Sequence, residues 1–377
     1  MNEMMPLRSD LAAFEHAPVR LTVDLGAVVE NWRMLCKLSA RARTAAVVKA
    51  DAYGLGAAEV GQALAAAGCQ DFFVATPDEG ARLRNALPDA RIFILTGIWP
   101  GMEERIFANR LIPVIGSLEQ LAYFRSCGQS AAYALYVDTG MNRLGLTVAE
   151  AASLSHEPRK QPVLVLSHLA CPDDPHHPMN HRQLESFQTV SQLFKGVESS
   201  LSSSAGIFLG PDYHFNLNRP GIALYGGEAV TGVPNPMRPT ATAEARILQI
   251  RDVRKGDAAS YGATHRFDRD SRVAIVGAGY ADGWRRSMSG SGVTARQDGS
   301  AGAFGFLGGA RVPIVGRITM DLTMFDIGDV PENRVRTGDY VELFGPNIRL
   351  DDAARAAGTI GYELLTGLGA RHVRRYI

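Results

Sequence analysis

A lysine at the end of an apolar run is the first residue of this sequence that points to chemistry. In the stretch AAVVKADAYGLG, Lys49 closes a strand-like segment and is followed by Tyr53 and two glycines. A desolvated amine loses proton affinity and can attack a carbonyl group, as a Schiff-base lysine does. The alternative is a rim lysine, whose stem packs on the protein while its head stays in water. Taken alone, Lys49 is better explained by this alternative.

Two later segments contain serine hydroxyls, glycines and an arginine. One segment contains Ser203, Ser204 and Gly206, and the other is Arg219-Pro220-Gly221-Ile222. Hydroxyls and free backbone N–H groups suit a phosphate dianion. A Schiff-base lysine facing a phosphate cradle is the arrangement that pyridoxal phosphate needs. The two features together predict a pyridoxal phosphate site.

A histidine-rich stretch raises the question of a metal. Four histidines lie close together beside two aspartates: His168, His176, His177 and His181, with Asp173 and Asp174. Prolines at 172, 175 and 178 indicate an irregular loop, so we predict no metal site. The GxG of VGAGYADG lies in a β-rich region and opens no helix, which argues against a dinucleotide site.

The elements that must position these residues follow from hydrophobic periodicity. Eight short apolar runs alternate with segments of helical period, at 44–50, 71–76, 91–97, 111–117, 133–140, 163–170, 201–206 and 221–227. This pattern predicts an α/β fold whose N-terminal part is a (β/α)8 barrel of the TIM type, with an open doubly wound sheet as the alternative. In a parallel barrel the carboxyl ends of the strands line the active site, so Lys49 and His168 would face one mouth.

The pattern of apolar and turn-forming residues changes after residue 230. A proline-rich connection leads into alternating segments with frequent turns, which predict a mainly-β C-terminal domain. We therefore place the barrel at residues 12–238 and the β domain at 239–377.

Composition narrows the class of partner. The 377 residues include 39 basic and 39 acidic side chains, so no net field favours nucleic acid or an anionic membrane surface. The four cysteines form no CxxC pair, which suggests a reducing compartment. The N-terminal stretch carries acids and lacks the apolar run of a leader, and no stretch has the roughly 18 apolar residues of a membrane span. We expect a cytoplasmic protein that acts on a small molecule.

Eight motifs occur in an order and at a spacing that resemble one family. They are AVVKADAYGLG, VDTGMNRLGL, SHLACPDDP, NRPGIALYGG, SYGAT, GYADGWRR, GRITMDLTMFDIG and IGYELLTGLGARHVRRY. From residue 44 almost to the C-terminus, the sequence is similar to alanine racemases. The resemblance implies a fold-type III, pyridoxal phosphate-dependent enzyme. It also implies a homodimer in which the C-terminal domain helps to complete the partner subunit's active site.

The resemblance assigns roles to individual residues. Lys49 would carry the cofactor and serve one face of the substrate Cα, while Tyr261, acting across the subunit boundary, would serve the other. His168 would hydrogen-bond Tyr261 and link it to Arg219, the partner of the pyridine nitrogen. Because arginine stays protonated, the ring remains a weak electron sink, which favours racemisation over transamination.

The remaining roles implied by the resemblance concern binding. The cofactor-binding positions are Lys49, Tyr53, Arg143, Ser204, Arg219, Gly221, Ile222 and Tyr362. Arg143 and Met320 match substrate-carboxylate positions, and Asp173, Arg286, Arg317 and Ile360 match the substrate entryway. Solvated loop charges are an equal alternative for the three charged entryway residues.

Three positions depart from the family pattern. Tyr136 stands where many members have a carbamylated lysine that braces the arginine, so Arg143 must be oriented differently. Ser203 replaces a common asparagine, and Leu55 replaces a histidine. The expected reaction remains interconversion of L- and D-alanine, either to supply D-alanine for peptidoglycan or to catabolise it. A serine or broad-spectrum racemase is one alternative. A pyridoxal phosphate-binding regulatory protein is the other, although it would need neither Tyr261 nor a β domain.

Overall fold

The computed structural model describes residues 8–128, 131–157, 161–296 and 301–377. It divides into two compact units. We call Leu25–Arg238 the barrel unit, and the residues up to Asp24 together with Pro239–Ile377 the β unit.

The chain enters through the β unit and then forms the barrel unit. The first elements are α1 (Arg8–His16) and β1 (Val19–Val23). The barrel unit follows with α2 (Leu25–Leu38), β2 (Arg43–Thr44), β3 (Ala46–Val47), α3 (Lys49–Tyr53), α4 (Ala57–Ala66), β4 (Asp71–Val74), α5 (Pro77–Ala86), β5 (Arg91–Ile94), α6 (Glu103–Ala108), β6 (Ile112–Ile115), α7 (Leu118–Ser126), β7 (Ala134–Tyr136), α8 (Val148–Ser155), β8 (Leu164–Leu166), α9 (Pro178–Leu193), β9 (Glu198–Ser200), α10 (Ser204–Phe208) and β10 (Leu217–Asn218).

The barrel strands form a parallel ladder that closes on itself. Strands β3 to β9 pair in chain order, and β10 pairs with β2, which continues into β3. The bond from Asn216 N to Ser199 O (3.0 Å) joins the β9 edge to the segment of β10. Strands such as β4 and β6 are buried along their whole length, which explains their continuous apolar runs. The prediction of a (β/α)8 barrel is confirmed.

The predicted positions of the last two barrel strands are wrong by a few residues. The strands are Glu198–Ser200 and Leu217–Asn218, ahead of the predicted 201–206 and 221–227. Ser204–Phe208 is helical and Ile222–Tyr225 is a 3-10 turn. Ser204 Oγ accepts hydrogen bonds from the N–H groups of Gly221 (2.9 Å) and Ala223 (3.2 Å), and these bonds turn the chain beyond both strands.

The β unit contains the rest of the chain. Its elements are β11 (Ala241–Val253), β12 (Ala258–Ala259), β13 (His265–Arg266), β14 (Ser271–Val276), β15 (Phe304–Leu307), β16 (Ala310–Pro313), β17 (Thr323–Asp326), β18 (Tyr340–Phe344), α11 (Leu350–Ala356), α12 (Gly361–Thr366) and β19 (Val373–Tyr376). The sheet runs in the order β16-β15-β18-β11-β1-β19; β14 also pairs with β11, and β17 pairs with β14. The mainly-β prediction for this region is confirmed.

The N-terminal residues differ from the predicted boundary at residue 12. Val19–Val23 pairs with β11 on one side and β19 on the other, so it belongs to the β unit. The division therefore falls after Asp24. None of the described helices combines the length and apolar character that crossing a membrane requires.

Candidate active site

Lys49 stands at the start of a left-handed turn. The four residues that follow it, Ala50 to Tyr53, have φ of 53°, 55°, 52° and 57°. Each non-glycine residue in this conformation costs roughly 1–2 kcal/mol. Such strain persists only where neighbours enforce it, and it concentrates at functional sites. The strained turn directly follows the predicted Schiff-base lysine, at the carboxyl end of the first barrel strand.

Hydrogen bonds and ring packing hold this turn. The Asp51 carboxylate accepts from Ala57 N at 2.8 Å, and the Asp51 carbonyl accepts from Gly56 N at 2.9 Å. The Tyr53 ring packs against Tyr225 with centroids 4.7 Å apart. The aromatic contact fixes the direction of the Tyr53 side chain.

Four predicted site residues of the barrel unit interact electrostatically. Burial lowers the pKa of the Lys49 amine, as does the charge of Arg143, while Glu79 opposes the shift. Burial lowers the pKa of His168 to about 3, and Arg219, Arg143 and Lys49 act in the same direction. The mouth therefore contains a neutral imidazole and an amine that deprotonates more readily than a free lysine.

Arg219 is a buried guanidinium. Its side chain donates to Ser200 Oγ, to Ser167 O and, at 3.4 Å, to Leu201 O. Burial lowers the pKa of Arg219 to about 10, and no carboxylate of the described residues pairs with it. A buried cation without a counter-charge is costly, so its donors suit an additional acceptor in the mouth.

Tyr53, Ser204 and Gly221 form a close-packed cradle beside this mouth. A Cβ at Gly221 would lie 2.3 Å from Tyr53 Oη, so a larger residue would collide with the hydroxyl. Ser204 and Ile222 are buried next to it. The arrangement of hydroxyls and backbone against a glycine fits a phosphate group.

Arg143 lies on a loop built around an aspartate that sequence reasoning missed. The Asp138 carboxylate accepts from Gly140 N (2.8 Å), Met141 N (2.8 Å) and Asn142 N (2.7 Å). An aspartate followed closely by glycine at a strand end is typical of such a turn, and this spacing could have identified Asp138.

Tyr136 occupies the position of the missing carbamylated lysine. Its hydroxyl is buried and has no hydrogen-bond partner of standard geometry among the described residues. Burial raises the pKa of this phenol, while the charges of Arg219 and Arg143 oppose the shift. The neighbour of Arg143 here is therefore a neutral hydroxyl in place of an anionic carbamate.

Tyr261 projects from the β unit. Its side chain is 72% exposed. Arg317 donates from Nη1 to Tyr261 O (3.2 Å), and Ser260 Oγ donates to Arg317 O (2.8 Å). Tyr261 and Arg317 also line a surface cavity of about 330 Å³ with Leu322 and Met324. Arg317 thus helps to hold the turn that carries Tyr261.

The other predicted residues lie on exposed segments. Met320 (54% exposed), Tyr362 on α12 and Ile360 (61% exposed) are in the β unit, together with the exposed Arg286. Asp173 is exposed in the loop before α9. His177 in that loop accepts from Met179 N at 3.2 Å and caps α9. Within the described ranges, no group of three or more His, Cys, Asp or Glu side chains could hold a metal.

Two family models match almost the whole chain. "Alanine racemase, N-terminal domain" matches residues 23–229, and "Alanine racemase, C-terminal domain" matches residues 240–376. A protein of Agrobacterium fabrum named "Alanine racemase, biosynthetic" is 59% identical over 372 residues, 97% of this chain and 95% of the relative. A catabolic alanine racemase of the same organism is 44% identical over 369 residues, 95% of this chain and 92% of the relative.

Solved structures show the same similarity. Alanine racemase from Bartonella henselae with covalently bound pyridoxal phosphate superposes with a TM-score of 0.87 at 36% identity, covering 96% of this chain and 100% of that one. The biosynthetic alanine racemase of Pseudomonas aeruginosa gives a TM-score of 0.86 at 36% identity over 96% and 99% of the two chains.

Proposed function

The chain belongs to the alanine racemase family, and we propose that it interconverts L- and D-alanine with pyridoxal phosphate by a two-base mechanism. The observation that carries the proposal is the cluster in the barrel mouth. There, Lys49, with a lowered pKa, interacts with Arg143 and His168, beside the buried guanidinium of Arg219. This set fits a cofactor that needs an amine, a donor to its ring nitrogen and a phosphate cradle.

The residues that would hold the cofactor fall into three groups. Lys49 would hold its aldehyde carbon, and Tyr53, Ser204, Gly221 and Ile222 would hold its phosphate, with Tyr362 contributed from a β unit. Arg219 would donate to the ring nitrogen and Arg143 to the phenolic oxygen. When bound, pyridoxal phosphate supplies the electron-withdrawing ring that acidifies the substrate Cα–H bond.

Two bases on opposite faces of Cα account for inversion. Lys49 Nζ takes or returns a proton on one face, because its lowered pKa makes the neutral amine more accessible than that of a free lysine. Tyr261 of the partner subunit acts at the other face through Oη. A neutral His168 can accept from the phenol or donate to the phenolate, since it carries one ring donor and one ring acceptor.

Arg219 restrains side reactions. A guanidinium keeps its proton and therefore does not protonate the ring nitrogen. A ring held by Arg219 would be a weaker electron sink, which would favour prompt return of the proton to Cα. Transamination is disfavoured for this reason.

Substrate contacts come from two places. Arg143 pairs with the substrate carboxylate, and Met320 offers its backbone N–H to the same group. Asp173, Arg286, Arg317 and Ile360 line the entryway. Asp173, Arg286 and Ile360 are exposed and Arg317 is partly exposed, as an access route requires.

We further propose a cytoplasmic homodimer that supplies D-alanine for peptidoglycan. Support for the dimer comes from large apolar side chains exposed on the β unit, which mark interaction surfaces: Tyr261, Tyr280, Met320, Leu322, Ile360 and Tyr362. The four free cysteines suit a reducing compartment. The biosynthetic role is supported by the higher identity to the biosynthetic Agrobacterium fabrum enzyme than to the catabolic one.

The decisive experiment follows hydrogen exchange at Cα. The purified holoenzyme is incubated with L-alanine, L-serine or L-lysine in deuterated water, and deuterium and enantiomer composition are measured. We expect D-alanine deuterated at Cα, with slower reaction of the larger substrates. Equal rates with serine or lysine would indicate a broad-spectrum racemase. Deuterium uptake without D-enantiomer would contradict the two-base scheme, and no exchange at all would contradict turnover.

Gly221→Ala is expected to weaken cofactor binding by about tenfold or more, because the new methyl group would meet Tyr53 Oη at 2.3 Å. Equilibrium titration of the apoenzyme with pyridoxal phosphate measures this loss. Gly116→Ala is the matched control, since its Cβ would meet its nearest neighbour at 3.6 Å. Wild-type affinity in Gly221→Ala would contradict the close-packed cradle at Tyr53 and Gly221.

A further inference from the structure

Three polar side chains bridge the loops at the carboxyl ends of neighbouring barrel strands. They are Glu79 on α5, Gln120 on α7 and Gln183 on α9, and we call them the loop clamps. Each lies on the helix that follows the second strand of a pair, so the loops after β3 and β4, β5 and β6, and β7 and β8 are joined in turn. None of them belongs to the predicted set of site residues.

Glu79 joins the loop that starts at Lys49 to the next one. Its Oε1 accepts from Ala50 N at 3.0 Å, and its Oε2 accepts from Ala75 N at 2.7 Å. Ala50 is the residue directly after Lys49 and the first of the left-handed turn. Both carboxylate oxygens are thus used by backbone N–H groups, one from each loop.

Gln120 repeats the arrangement on another side of the barrel. Its Oε1 accepts from Gly116 N at 3.0 Å, and its Nε2 donates to Thr96 O at 3.3 Å. In ATPDE and GSLEQ alike, a hydroxyl N-cap precedes Glu79 or Gln120 by three residues, which is the spacing of a capping box. The side chain here extends beyond its own helix to a neighbouring loop.

Gln183 is the third clamp and is almost fully buried. Its Nε2 donates to His168 O at 2.9 Å, and its Oε1 accepts from Ala170 N at 2.8 Å. It also reaches Thr139 Oγ1 at 3.3 Å, on the loop that carries Arg143. Two of the three clamps therefore hold loops that bear proposed site residues, while Gln120 holds loops that bear none.

We propose that Glu79 is a positioning residue that holds Lys49 in its working place by enforcing the left-handed turn after it. This inference rests on the proposed function of Lys49. Without the carboxylate, Ala50 N would lose its acceptor, and L-residues in this conformation relax toward right-handed backbone. Because Ala50 is bonded to Lys49, such relaxation moves the lysine Cα.

The position of Glu79 is itself set by close packing. A Cβ at the adjacent Gly80 would lie 2.7 Å from Ile94 Cδ1 and 2.9 Å from Leu111 Cδ1, so α5 packs with its backbone directly against the barrel. Because α5 is packed this closely, the backbone position from which the Glu79 side chain extends is fixed. The negative charge of Glu79 also favours the protonated form of Lys49 and opposes the effects of burial and Arg143.

Glu79→Gln tests the proposal with little change in shape. An amide has one oxygen in place of two, so Ala50 N and Ala75 N no longer each have an acceptor oxygen of their own. The matched control is Gln120→Glu, which likewise removes one of two clamp bonds, because a carboxylate cannot donate to Thr96 O. Similar thermal midpoints of the two apoproteins would show that the structural cost is matched.

Catalytic and cofactor-free readouts are measured on both variants. In the holoenzyme, kcat/KM for Glu79→Gln should fall by about 10²-fold, as expected for a displaced reacting group, while Gln120→Glu stays within about twofold of the wild type. In the apoprotein, NMR of reductively ¹³C-methylated lysines should show Lys49 titrating at lower pH in Glu79→Gln alone.

Two results would overturn the proposal: a Glu79→Gln enzyme with wild-type kcat/KM and an unchanged Lys49 titration, or an equal loss in Gln120→Glu. Failure of the proposed function would look different, because the wild type and Gln120→Glu would then also fail to racemise alanine.

Discussion

Lys49→Ala should leave the protein without covalently attached cofactor and reduce alanine racemisation by about 10⁴-fold, the upper range for loss of an acid/base group. Two functions are removed together, the amine that holds the cofactor and the base on one face of Cα. The segment AAVVKADAYGLG contains no second lysine that could replace Lys49. Cofactor absorbance, borohydride trapping with peptide mapping, and racemisation rate measure the two losses separately.

Lys37→Ala is the control for this prediction, since Lys37 is an exposed lysine of α2. It should retain wild-type absorbance and rate. A small added amine such as methylamine should partly restore exchange in Lys49→Ala if the missing group is the amine itself. Trapping of the cofactor on a lysine other than Lys49 in the wild type would contradict the assignment.

Hydrophobic pattern predicted most of the barrel because parallel strands are buried on both faces. The predicted positions of the last two strands were wrong because these strands contain polar residues in place of an apolar run. Ser199, Ser200 and Ser202 are buried, and Ser200 Oγ accepts a hydrogen bond from Arg219. A buried guanidinium needs such acceptors, so polarity replaced the apolar signal where the site is built.

The N-terminal boundary could not be predicted from local pattern. The run Val19–Val23 precedes the barrel in sequence, yet its partners are Ala241–Ala245 and Val373–Tyr376, more than two hundred residues away. Such pairing depends on which strand edges are left open in the finished sheet, which adjacency in sequence does not reveal.

The sequence allowed the reactive side chains to be predicted, but not the residues and backbone turns that hold them in place. Lys49 and Arg219 stand out because charges at strand ends are costly. The left-handed turn could not be predicted from the sequence, because the alanines and the aspartate at 50–52 do not favour positive φ as glycine does. In the sequence, Glu79 and Gln183 look like ordinary helix residues. Their role depends on the tertiary structure, which brings the loops that they join close together.

Tyr261→Phe should separate the two faces of the reaction. Abstraction of the proton from L-alanine should fall by about 10²- to 10⁴-fold, because the phenol on that face is gone. Exchange of the D-alanine Cα proton should continue, since Lys49 is intact. Proton NMR in deuterated water follows both exchanges without requiring turnover.

Tyr280→Phe is the control, because Tyr280 is also an exposed tyrosine of the β unit and is assigned no part in proton transfer. It should change neither exchange rate substantially. Equal losses of exchange from the two enantiomers in Tyr261→Phe would contradict the assignment of faces.

Mixing the two inactive variants tests whether Tyr261 acts across the subunit boundary. After subunit exchange between Lys49→Ala and Tyr261→Phe, half of the dimers are mixed. If Tyr261 serves the partner's Lys49, one site of each mixed dimer has both residues intact and the other has neither, so activity should return to about a quarter of wild type. If Tyr261 serves its own subunit, every site keeps one defect. Mixing would then restore nothing, and the shared-site arrangement would be wrong.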